Sequence, residues 1–136
     1  MSDQPNDQLS ELTRLAKRAW DAVSRADADT LCEILAPDVI WHATGATPWR
    51  GDHRGLESVL DYLARVGELT DVFDASLIDV LASEERVQVV FHVRVAQAGR
   101  TVEVDYSLLA RVHEGRATAV WTSPLDPDAL SRFWKK

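Results

Sequence analysis

Cysteine is almost absent from this chain, and the single Cys32 excludes both a disulfide framework and a cysteine-rich zinc site. Its position between Leu31 and Ile34 in a helical pattern predicts a small buried hydrophobe rather than a reactive thiol. Long apolar runs are missing too: nothing approaches the roughly 18 residues a spanning helix needs. The polar start, Met-Ser-Asp-Gln-Pro-Asn-Asp-Gln, lacks the apolar core of a signal peptide. A cytoplasmic protein with no membrane partner is therefore expected, with a short disordered tail over about residues 1–6. Basic residues are outnumbered, 15 Lys and Arg against 22 Asp and Glu, for a net charge of −7. That balance argues against a nucleic-acid binder, whose affinity rests on a basic footprint. The four histidines are widely spaced, with no H-x-x-x-H pair and no carboxylate grouping, so no metal is expected. Gly51–Gly55 lacks the Lys-Ser/Thr of a phosphate loop, and Ser107 lacks a nucleophile elbow.

What remains is one domain's worth of chain. Its 136 residues are 46% hydrophobic and 27% charged, an ordinary globular mixture able to bury a core without staples. Leu9, Leu12, Ala16, Ala19, Trp20 and Val23 fall at helical spacing and predict a long first helix over about residues 7–25. Residues 25–29 break it, and Asp27 or Asp29 can cap a short second helix through Ala36, which Pro37 stops. Val39–His42 reads as a strand, and Gly45, Pro48, Gly51 and Gly55 mark a loop. Leu56, Val59, Leu60, Leu63 and Val66 define a third helix.

After about Asp71 the apolar period changes from 3.6 to 2. Strands are predicted over Phe73–Leu81, Arg86–Gln97, Arg100–His113 and Arg116–Pro124. The dipeptides Ala98–Gly99 and Glu114–Gly115 read as two-residue hairpin turns. A short closing helix is expected over Asp126–Trp134. The fold class is α+β, with three N-terminal helices packed on a curved antiparallel sheet that forms a cone. Such a cone holds a small molecule at its mouth. Along the strands, Val87, Val89, Phe91, Val93 and Val95 share one face, as do Val102, Val104, Tyr106, Leu108, Ala110 and Val112. Burying Glu103 or Asp105 unpaired would be costly, so the apolar faces are expected to turn inward.

The segments Trp20–Leu31, Leu35–His42, Gly45–Gly55 and Glu114–Trp121 resemble the SnoaL-like branch of the NTF2-like superfamily, whose ketosteroid isomerase-like fold is an α+β barrel. The resemblance covers about residues 9–134. It implies a cavity and, commonly, a homodimer through the sheet, but not an activity, because the superfamily contains isomerases, cyclases, dehydratases, hydrolases and binding modules. In the isomerases an Asp base stands at the end of the first strand. Counting from Gly45 puts His42 there; counting from Ala36 and Asp38 puts Ala43 there. The two oxyanion donors of those enzymes fall on Ala19 and Leu108, which argues against a steroid-type isomerase.

His42 is thus the candidate catalytic residue, a proton shuttle whose ordinary pKa near 6.5 suits neutral pH. Asp38, on the same strand, is a poor orienter for it. The candidate substrate-binding residues are Trp20, Trp41, Trp49, Tyr62, Phe91, Tyr106, Leu108 and Trp121, an aromatic wall around an apolar ring-containing molecule. His53 is expected in the exposed loop, His92 at a surface or subunit contact, and His113 in solvent. Neither cofactor nor metal is implied. Three classes stay open: a cyclase, isomerase or hydratase acting through His42, a non-catalytic ligand-binding or sensing module, and a structural dimer whose cavity is filled by its own side chains.

Overall fold

The computed structural model describes residues 4–25, 27–45, 47–69 and 72–134. Residues 1–3 of the expected tail, Ala26 of the helix break, Asp71 at the change of period, and the side chains of Leu9 and Phe73 lie outside the described residues. Helix α1 runs Gln4–Arg25, so it begins within the stretch expected to be a tail. Its Leu12, Ala16 and Ala22 are buried, and Leu15, Ala19, Trp20 and Val23 pack beside them. Asp27 caps α2 (Ala28–Ile34), accepting from the Thr30 backbone N–H at 3.2 Å and from its hydroxyl at 2.7 Å. Those bonds, the hydroxyl first, hold the Asp27 carboxyl below its usual range. Cys32 is exposed, against expectation. On a two-turn helix Leu31 and Ile34 take the buried face and turn it outward. The helix ends two residues earlier than expected because Leu35 and Ala36, just before Pro37, go over to extended backbone.

Strand β1 (Leu35–Ala43) is followed by β2 (Gly51–Arg54), a four-residue strand within the expected loop. Helix α3 spans Leu56–Leu69 and buries Val59 and Tyr62. Strands β3 (Val72–Ala82), β4 (Arg86–Gln97), β5 (Arg100–His113) and β6 (Arg116–Pro124) form an antiparallel meander, and α4 (Pro127–Trp134) closes the chain. Asp126 caps α4 through the Ala129 N–H at 3.1 Å, and Pro127 takes its first position. The turns between β4 and β5 and between β5 and β6 have positive φ at both residues: 54° and 79° at Ala98 and Gly99, 51° and 79° at Glu114 and Gly115. This is the type I′ geometry whose twist matches the flanking strands.

The curved sheet has the order β2-β1-β6-β5-β4-β3. It is mixed rather than purely antiparallel, because β1 lies parallel to β6, and it does not close into a barrel. The β1–β6 register slips between Leu35 and Ile40 around Pro37, which has no N–H to give a ladder. Alternation turns Val87, Val89, Phe91, Val93, Val95, Val104, Ala110 and Val112 into the core, while Arg94, Glu103, Asp105 and Arg111 face out. Helices α1, α3 and α4 pack against this apolar side. Among the described residues no helix is long and apolar enough to cross a membrane.

Candidate functional site

A cavity of about 430 Å³ opens between the inner face of the sheet and the helices. Seven of the nine expected site residues line it: Trp20 from α1, Trp41 from β1, Trp49 from the β1–β2 connection, Tyr62 from α3, Phe91 from β4, and Tyr106 and Leu108 from β5. Phe91 is the middle of an aromatic row, its ring 4.8 Å from Trp20 and 5.7 Å from Tyr106. On the opposite wall the Trp41 and Tyr62 rings lie 5.6 Å apart. Trp49 is fixed from two sides. His53 Nε2 donates to its carbonyl at 2.8 Å, and its ring meets Trp134 edge-on at 5.3 Å. Next to the cavity lies a void of about 40 Å³ lined by apolar side chains, with Trp20, Val23, Trp41 and Leu108 bordering both spaces.

His42 and Trp121 do not line the cavity. Successive strand residues point to opposite faces, so burying Trp41 and Ala43 on the inner side turns His42 out. The parallel register sets His42 beside Trp121, and the two rings stack at 5.3 Å and 14°. The antiparallel register sets His42 opposite Asp52 of β2, and Nδ1 donates to Oδ1 at 2.7 Å. The Arg111 guanidinium lies 6.0 Å from the Trp121 ring. The expected proton shuttle at the pocket mouth is therefore an outer-face histidine. Its carboxylate partner is Asp52 of β2, not Asp38 of its own strand. Of the two positions the isomerase pattern could select, Ala43 is the one that faces inward, and it carries no proton-transferring group.

The other histidines are structural or surface groups. His53 belongs to β2 and stacks on Tyr62 at 4.3 Å. His92 lies on the outer face between two carboxylates, Nδ1 2.8 Å from Asp105 and Nε2 2.9 Å from Glu103. These bonds, to Glu103 first, raise its pKa above the usual histidine value, since both nitrogens donate only in the charged form. His113 is largely exposed beside Glu114. Among the described residues no three histidine, cysteine or carboxylate side chains are grouped to hold a metal.

Among the described residues the cavity wall is apolar apart from five hydroxyl side chains, four tryptophan indoles and Asp74. Thr44 Oγ1 donates to the Thr122 carbonyl at 2.7 Å, tying β1 to β6. Burial pushes the Tyr62 hydroxyl up to about 12, opposed in part by the Thr122 and Trp41 side chains beside it. Tyr106 is raised further, by burial and then by its neighbour Tyr62. Both phenols are therefore neutral donors at physiological pH. Asp74 reaches the rim, its carboxylate 3.6 Å from Arg94. Trp134 is a lining residue that sequence reasoning missed. The signal was present in the closing helix, which ends in the adjacent aromatic pair Phe133–Trp134.

Residues 16–120 match the family described as a SnoaL-like domain, and the chain belongs to that family. No functionally curated protein shows significant similarity. Three solved structures place the fold. Bal32a, from a soil-derived mobile gene cassette, is 25% identical with a TM-score of 0.87, over 94% of this chain and 99% of that one. A protein of unknown function with a cystatin-like fold from Xanthomonas campestris is 29% identical with a TM-score of 0.80, over 90% and 97%. TerC, co-crystallised with polyporic acid, is 17% identical with a TM-score of 0.72, over 82% and 88%, a likeness of fold alone.

Proposed function

We propose that this protein binds a small, apolar, ring-containing molecule in the cavity between sheet and helices, as a ligand-binding or sensing module of the SnoaL-like family. The observation that carries the reading is the cavity itself, about 430 Å³ of open space walled by Trp20, Trp41, Trp49, Phe91 and Tyr106. That volume falls within the ordinary range of small-molecule sites. It also speaks against a cavity filled by the protein's own side chains. Among the described lining residues a polyanion such as a nucleotide finds no Lys, Arg or His, and it meets a chain of net charge −7. Cyclase, isomerase or hydratase chemistry through His42 is not supported by that residue's position on the outer face. Among the described residues the ionisable side chains on the wall are two neutral tyrosines and Asp74 at the rim.

The molecule works as a homodimer in the cytoplasm. The outer face of β4, β5 and β6 carries Val90, Leu109, Ala119 and Trp121, only partly buried within one chain. A second copy laid on this face would cover them. The binding reading is tested by thermal denaturation against matched panels of neutral aromatic compounds and nucleotides. Aromatic compounds should raise the melting temperature and nucleotides should leave it unchanged; the reverse pattern would sink the proposal.

A further inference from the structure

Two apolar spaces of unequal size adjoin inside the fold. The cavity of about 430 Å³ has room for a ring system, and the void of about 40 Å³ beside it does not. A dry protein cavity of about 150 Å³ takes benzene, and a single water needs about 10–15 Å³. The void therefore suits a few carbon atoms and no more. Trp20 and Val23 of α1, Trp41 of β1 and Leu108 of β5 border both spaces. Among the described residues the rest of the void's lining is aliphatic. Ala16 of α1, Ala110 of β5 and Ala117 of β6, all buried, help to keep it open, since a larger side chain at any of them would carry carbon into the space. Protein interiors are close-packed, and an unfilled void forfeits dispersion contacts along its lining at a cost in stability. Water does not recover that loss, because aliphatic walls offer it no hydrogen-bond partners.

From these dimensions we infer that the ligand is a ring system with a short alkyl branch of about two to four carbons, the ring in the cavity and the branch in the void. The inference rests on the binding role proposed above and specifies the shape of its ligand. The branch enters where Trp20, Val23, Trp41 and Leu108 border both spaces. A branch ending in a hydroxyl, amine or carboxylate would give up its hydrogen bonds to water and find no partner among aliphatic side chains. An alkyl branch loses nothing polar and restores the missing contacts, each buried carbon tightening binding about fourfold.

The test uses three probes that share one ring system: naphthalene, 2-propylnaphthalene and 2-naphthaleneethanol, whose branch matches propyl in length but ends in a hydroxyl. Calorimetric titration of the full wild-type chain should show the propyl compound binding at least about tenfold more tightly than either of the others. Ala110→Val fills the void without touching the cavity wall. In this variant naphthalene should bind as in wild type, and the propyl advantage should fall below about threefold. Should Ala110→Val fail to fold, the branch is placed in wild type by proton contacts between its terminal methyl and the alanine methyls. Those contacts should reach Ala110 and Ala117 of the void rather than Ala75 of the cavity. A propyl compound no tighter than naphthalene or than the alcohol, an undiminished advantage in Ala110→Val, or a terminal methyl beside Ala75 would overturn the inference while leaving the cavity as a ligand site. Binding of none of the three would remove both this inference and the proposed function.

Discussion

Replacing His42 with alanine should cost the fold little and the cavity nothing. The side chain makes two contacts on the outer face: the 2.7 Å pair with Asp52 and the 5.3 Å stack on Trp121. The pair is open to solvent, with 27% and 46% of the two side chains exposed. Solvent-open ion pairs are worth about 0.2–1 kcal/mol, and stacked ring pairs about 0.5–1.5 kcal/mol. His42→Ala should therefore destabilise by about 1–2 kcal/mol. With roughly 2.1 cal/mol/K of unfolding entropy per residue, a chain of 136 residues then melts about 3–7 °C lower. Trp41→Ala, one position away but in the core, should cost about 3–5 kcal/mol. Thermal denaturation by circular dichroism reads the stability, and titration with acetylnaphthalene reads the cavity. Affinity in His42→Ala should stay within about twofold of wild type, because strand alternation points the imidazole away from the ligand. A tenfold loss of affinity with an unchanged melting temperature would mean that His42 reaches the ligand, and the reasoning from strand phase would be wrong.

The raised pKa of His92, held up first by Glu103 and then by Asp105, gives stability a definite pH dependence. Its contribution is complete below the ordinary histidine pKa of about 6.5, while both carboxylates remain ionised above about pH 4. It is lost as pH rises through the elevated value. The melting-temperature difference between wild type and His92→Gln should therefore be larger near pH 5.5 than near pH 9 (about these values), and a difference independent of pH would contradict the assignment. Ala98 pays a steric penalty at φ 54°, so Ala98→Asn should stabilise by about 0.5–1 kcal/mol; a lower melting temperature would count against the type I′ assignment. Light scattering should give about 30 kDa, twice the 15.2 kDa chain, and Leu109→Arg on the outer face should return the particle to monomer size. A wild-type particle of monomer mass at micromolar concentration would rule the dimer out.

The elements legible from the sequence are those fixed by local chemistry. Strands β4 and β5 run over the residues expected because their apolar residues alternate. Strand β6 does so because its hairpin turn, like the one before it, ends in a glycine that accepts positive φ, although a register slip breaks the β6 alternation between Ala117 and Ala119. Asp27 is readable as a cap for the same local reason. What could not be read was phase in β1 and β6, the choice of which face of those strands looks inward. Trp41 and His42 both carry rings, and Val120 and Trp121 are both apolar, so side-chain character alone does not choose the inner one of either pair. In β1 the choice is fixed by long-range partners: β6 running parallel on one side and β2 on the other. Strand β2, Gly-Asp-His-Arg, is mostly exposed and carries no apolar alternation to announce it. The error at His42 and the error at Trp121 are therefore one error, because the two residues are register partners on the same outer face. Cys32 went wrong for a smaller reason: on a seven-residue helix only Leu31 and Ile34 find room inside.

The central claim is that the cavity is a binding site, and Ala75 gives direct access to it. This residue lies on edge strand β3 opposite Val93 and lines the cavity. The measurement is a fluorescence titration of the wild-type chain and of Ala75→Trp with N-phenylnaphthylamine, a neutral ring compound that brightens in apolar surroundings. The wild-type chain should bind one probe, saturably. In Ala75→Trp, folded by circular dichroism, the indole should occupy the cavity and reduce that binding at least tenfold (roughly the loss of a contact worth 1.4 kcal/mol). No saturable binding to wild type, or equal binding to the plugged variant, would contradict it.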